Sequence, residues 1–234
     1  MSILRRSFRF LPAAIFCLTM PPAAEAGPAV VELFTSQGCS SCPPADANLG
    51  KLARRTDVLA LSFGVTYWDY LGWQDTFGKP EFTERQHGYA RALGNNSVYT
   101  PQMVVNGRTD LVGHDLGEVE AEIAAQGAPD AAAITLGPDK VAIGAAREPV
   151  STAEIGAEIW LVRYEPGPIE IPVARGENGG RELTITHAVR ELTRLGIWQG
   201  AAMEMTLPAG DPALKRAILI QGAANGAILA AATD

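Results

Sequence analysis

In the first half of the chain, apolar positions switch between the continuous runs of buried strands and the spacing of helices. Val30 to Phe34 is a short apolar run that predicts a strand. Ala45, Leu49, Leu52 and Ala53 then recur at helical spacing. Pro43 and Pro44 stand in the first turn of that helix, where a missing N–H costs little. Val58 to Phe63 is a second continuous run, of the kind a parallel sheet buries on both faces. Phe82, Tyr89 and Leu93 mark one face of a helix over Glu81 to Leu93, with Arg85 and Arg91 opposite, on a solvated face. Gln102 to Val105 predicts a strand, Asn106-Gly107 a two-residue hairpin and Asp110 to Val112 the returning strand. Asp115 and Glu118 have N-cap and N3 spacing before Leu116, Val119 and Ile123, which predicts a helix over 116–125. This order predicts a small mixed sheet flanked by helices.

The pattern changes near Gly127-Ala128-Pro129. Ile155, Ala157, Ile159 and Leu161 alternate with Glu154, Glu158 and Trp160. Leu183, Ile185, Ala188 and Val189 follow the turn Gly176-Glu177-Asn178-Gly179-Gly180, and Ala217 to Ile220 and Ala227 to Leu229 close the chain. Short strands with Gly and Pro turns predict a mostly-β, sandwich-like domain over 129–234, after an α/β domain over 27–128. Turn geometry accounts for Glu177 and Asn178 without a ligand.

The first 26 of the 234 residues carry the pattern of a cleavable export signal. Arg5, Arg6 and Arg9 precede an apolar run from Phe10 to Met20, too short to span a bilayer, and Ala24-Glu25-Ala26 offers a cleavage site. No later run is long and apolar enough to span either. The leader holds three Arg and one Glu, so the mature chain carries 16 basic and 25 acidic residues, a charge of −9. Such a surface argues against nucleic acid and anionic membranes as partners. Export to the periplasm or medium would place the cysteines where disulfides persist.

Of three cysteines, Cys17 lies in the leader, which leaves Cys39 and Cys42. Two cysteines are too few to staple a scaffold, so the pair reads as chemical. In a Cys-x-x-Cys that opens a helix, the first-turn N–H groups favour an anion and lower the thiol pKa from about 8.5 towards 3.5–7.5. Cys39 is therefore expected to be the exposed, attacking sulfur. Cys42, one turn on, would resolve the mixed disulfide by expelling the partner thiol. The partners would be protein or small-molecule thiols, and the chemistry needs no organic cofactor or metal.

With an upstream strand, a downstream helix and Thr100-Pro101 before a later strand, the chain resembles the thioredoxin superfamily. The resemblance implies a thioredoxin-like fold for 27–128, with Pro101 as a cis proline against the disulfide. It also implies that the Thr100 backbone pairs with an extended partner, and that Glu32 is a buried carboxylate beneath the sulfurs. The run Val31 to Asp46, with Tyr67-Trp68-Asp69-Tyr70-Leu71-Gly72-Trp73, Tyr99-Thr100-Pro101-Gln102 and Gly176-Glu177-Asn178, is similar to an uncharacterised family of secreted bacterial proteins with a thioredoxin-like domain. Members often carry His and Asp before the Tyr-Trp pair; this chain has Gly64 and Thr66, so no role resting on those side chains carries over.

Three function classes follow: an exported thiol–disulfide oxidoreductase, a binding module with a structural disulfide, and a thiolate metal carrier. The carrier is disfavoured because only His87, His114 and His187 are available to join the sulfurs, without paired spacing. Each reads as a surface or capping residue. Tyr67 and Trp68 read as a substrate groove beside the sulfurs or as packing between elements.

Overall fold

The computed structural model describes residues 27–148 and 156–234. The leader, its Cys17 and the predicted strand position Ile155 lie outside the described residues.

Strand β1 (Ala29–Thr35) runs parallel to β2 (Val58–Gly64), and helix α1 (Pro43–Leu52) connects them. Helix α2 (Pro80–Leu93) leads to β3 (Gln102–Val105), antiparallel to β1 on its other side. The hairpin to β4 (Thr109–Leu111) turns at Asn106 and Gly107, both with positive φ, and completes the order β2-β1-β3-β4. Helix α3 (Leu116–Gln126) opens with Asp115 accepting the Gly117 and Glu118 N–H groups, which is the predicted cap.

Alternation along β1 sorts its side chains between two cores. Val31 and Leu33 join Ala45, Leu49 and Leu52 of α1 and Val119 and Ile123 of α3. Val30 and Phe34 point the other way, into a cluster with Phe63 of β2 and with Phe82 and Tyr89 of α2.

That second cluster continues into the later half of the chain. Strands β7 (Ala157–Tyr164), β10 (Val189–Trp198), β12 (Lys215–Gln221) and β13 (Ile228–Thr233) form an antiparallel sheet in the order β10-β7-β12-β13. Its Val162, Tyr164, Ala217 and Leu219 pack on the Phe34 side. Ile159, Leu161, Ile218 and Ile220 face Val141 and Ile143 of a three-stranded sheet made by β5 (Ile134–Leu136), β6 (Lys140–Ile143) and β11 (Met203–Thr206). The four-stranded sheet is thus covered on both faces. β8 (Pro168–Pro172) and β9 (Glu182–Thr186) form a separate hairpin, and β9 packs against α1 and β2.

Arg85 corrects the sequence reading. Its side chain is buried, not solvated, and donates to Glu32 at 2.7 and 3.0 Å. Tyr89 also donates to Glu32, and Gln221 of β12 donates to Tyr89 at 2.9 Å. The pair draws Arg85 inward because a carboxylate buried on β1 needs a charged partner. No helix among the described residues is long and apolar enough to cross a membrane.

Candidate functional site

The β1–α1 connection places the two cysteines where the backbone turns into the helix. Cys42 is the N-cap of α1, Pro43 follows in the first turn, and Ala45 and Asp46 donate their N–H groups to the Cys42 carbonyl at 2.9 and 3.1 Å. Cys39 and Cys42 form a disulfide with Cα atoms 5.5 Å apart. Both residues have no exposed surface, while the intervening Ser40 and Ser41 are exposed. The expectation of an exposed Cys39 is therefore corrected: the loop shields its sulfur in the disulfide form.

Neighbours brace the loop from several sides. The Cys39 sulfur lies 3.3 Å from the Ser41 hydroxyl, which reaches towards the Thr100 carbonyl at 3.5 Å. The Thr100–Pro101 bond is cis, and Pro101 is buried beside this contact. Trp68 donates its indole N–H to the Thr100 hydroxyl at 2.8 Å. Tyr67 and Trp68 are half-buried and pack on the Phe34 cluster, so they serve as packing whatever else they contact. His114 meets the Ser41 carbonyl through Nε2 at 2.8 Å. His114 is thus an exposed residue that braces the loop through a backbone carbonyl, in keeping with a surface or capping role.

Two buried acids lie in this region. Asp46, one turn beyond Cys42, is buried, and its Oδ1 accepts no hydrogen bond. Burial pushes its carboxyl up to about 7; the neighbouring Thr35 hydroxyl opposes part of that rise and the Asp75 charge adds to it. Asp75 accepts the N–H groups of Gln37 and Phe77 at 2.7 and 2.8 Å, and burial still pushes it up to about 6. Glu32 was the carboxylate expected here. Its position in β1 turns it to the face opposite α1, where Arg85 and Tyr89 occupy it.

The largest departure from the sequence reading comes from Glu177 and Asn178. They sit in the turn after β8, more than 130 residues from the cysteines, and cover the loop. Asn178 is fully buried and donates through Nδ2 to the carbonyls of Gln37 and Cys39 at 3.0 and 2.9 Å. Glu177 accepts the Ser40 N–H at 3.0 Å. Gln37 is held in turn by Trp73 and Thr76, which donate to its Oε1. Among the described residues no group of three or more His, Cys, Asp or Glu is placed to hold a metal.

No curated protein matches this chain. A solved structure, protein AGR_C_4864 from Agrobacterium tumefaciens, is 35% identical with a TM-score of 0.73 and covers 90% of this chain and 95% of its own. HBP35 of Porphyromonas gingivalis shares the fold at 14% identity and a TM-score of 0.59, over 89% of this chain and 75% of its own. The family described as protein of unknown function (DUF1223) matches residues 30–221, and the chain belongs to that family.

Proposed function

We propose that residues 27–128 form a thioredoxin-like domain, and that the protein is an exported thiol–disulfide oxidoreductase acting through Cys39 and Cys42. One observation carries the reading: the disulfide opens α1, beside the Thr100-Pro101 segment that precedes β3. The strand order β2-β1-β3-β4 supports the fold assignment, and the leader pattern of residues 1–26 supports export.

Pro43 and Pro44 lack N–H groups and those of Ala45 and Asp46 bond to the Cys42 carbonyl, so in the reduced protein it is the positive end of the α1 dipole that favours a thiolate here. The Cys39 thiolate attacks a partner disulfide, forms a mixed disulfide and expels one partner thiolate. Cys42 then passes its proton to the Asp46 carboxylate and attacks the Cys39 sulfur, which releases the second partner sulfur. The partner gains two electrons and the protein's sulfurs become the disulfide. Run backwards, the same steps oxidise a dithiol partner. Asp46 is assigned the proton because it lies buried one turn beyond Cys42 in α1, where burial pushes its carboxyl up to about 7. Thr100 offers its backbone to the partner, and Tyr67 and Trp68 wall the groove.

A structural clamp is the second reading, favoured by the complete burial of both sulfurs and by the Asn178 brace. Equilibration with glutathione separates the two. A reduction potential between about −120 and −270 mV supports exchange, and one below about −300 mV supports the clamp.

A further inference from the structure

We propose that Glu177 acts as a charge filter at Cys39, so that the reduced protein exchanges faster with cationic disulfides than with anionic ones. This deepens the thiol-exchange reading and rests on it. The exposed residues flanking the shielded sulfur are Ser40 and Ser41, so a partner approaches Cys39 over them. Neither carries charge. The Ser40 N–H on that route donates to the Glu177 carboxylate, which is itself exposed.

Glu177 is held in place rather than sweeping freely through solvent. Its neighbour Asn178 is fully buried and bonded to Gln37 and Cys39, and Arg181 donates to the Asn178 Oδ1 at 2.6 Å. The turn needs Gly176 at its head, where φ is +76° and the backbone passes Trp73 and Leu71. The other chargeable groups of this region are Arg175, exposed in the same turn, Arg181, which donates to the neutral Asn178 Oδ1 and keeps its charge, His114, which faces the Ser41 carbonyl, and the buried Asp46 and Asp75. Of the charges in the turn, Glu177 is the one that bonds to the cysteine loop. An incoming charge is thus met by a fixed anion on the loop that carries the nucleophile, well within the screening length of about 10 Å at 0.1 M salt.

The test uses the full chain, reduced and desalted, with three probes: cystamine (cationic), hydroxyethyl disulfide (neutral) and glutathione disulfide (anionic). Each probe takes two electrons from the protein through a Cys39 mixed disulfide, and the protons of the two protein thiols end on the two released probe thiols. Intrinsic probe reactivity cancels when the cystamine-to-glutathione rate ratio is compared between variants. Glu177→Gln should lower that ratio about 3- to 10-fold at low salt, Glu177→Lys should lower it further, and the exposed Glu182→Gln should leave it unchanged. The wild-type preference should shrink in about 0.5 M salt. An unchanged ratio in Glu177→Gln and Glu177→Lys, with exchange intact, overturns the filter alone. Failure of the wild-type protein to exchange with any of the three probes overturns the oxidoreductase reading and the filter with it.

Discussion

Arg85 and Glu32 form an ion pair with side chains only 2% and 1% exposed, so neither charge has water to fall back on. Replacing one partner leaves the other buried and uncompensated. Arg85→Met should therefore lower the unfolding free energy by about 3–5 kcal/mol in urea titrations, and adding Glu32→Gln should restore much of the loss. Asp46 makes a prediction of the opposite kind. Its folded carboxyl holds a proton up to about pH 7, whereas the unfolded chain releases it near 3.8. The folded state thus binds more protons between those values, and its stability falls as pH rises through that window. Asp46→Asn removes the fall: compared with wild type, it should gain stability at pH 8 relative to pH 4, by several kcal/mol at most, as read from denaturation midpoints. If the two proteins keep a constant difference across that range, the folded Asp46 carboxylate is no more basic than a free one, and its part in the proton step fails.

At the scale of elements, the turn after β8 is the piece that changes what the cysteine loop can do. Asn178 satisfies two carbonyls, of Gln37 and Cys39, through one amide. Asn178→Ala should release the loop and speed reduction of the disulfide by dithiothreitol several-fold, at a cost in stability of about 1–3 kcal/mol. No change in reduction rate would mean that the loop holds its conformation without the brace. The elements themselves were largely legible from pattern. β1, α1, β2, α2, β3 and the cap of α3 fell within a residue or two of their expected bounds, because each combines a clear apolar period with local turn or cap chemistry. The short β5, β6, β8 and β11 were not foreseen. At three to five residues with mostly half-exposed faces, they offer too few apolar positions to establish a period.

For the whole molecule, the consequence of interest is cooperativity. Val162, Tyr164, Ala217 and Leu219 share one cluster with Phe34, Phe63 and Tyr89, and Gln221 reaches Tyr89. Unfolding of either half would expose the cluster of the other. Calorimetry on residues 27–234 should give a single transition, with calorimetric and van't Hoff enthalpies in agreement. Two separable transitions would show that the shared cluster does not couple the halves.

Local chemistry written into neighbouring residues determined the helix starts, the Asn106-Gly107 hairpin, the alternation of Ala157, Ile159 and Leu161 in β7 and the Cys-x-x-Cys at the head of α1. These depend on backbone geometry and on side chains within a few positions of one another. Only the tertiary structure decided that Glu32 turns away from the cysteines, that Asp46 and Asp75 are the buried acids of this region, and that Glu177 and Asn178 cover the loop. The reason is distance along the chain. Which face a strand residue shares, and which remote turn lands on it, follows from how sheets and helices pack, and that packing leaves no mark at the spacing of a motif.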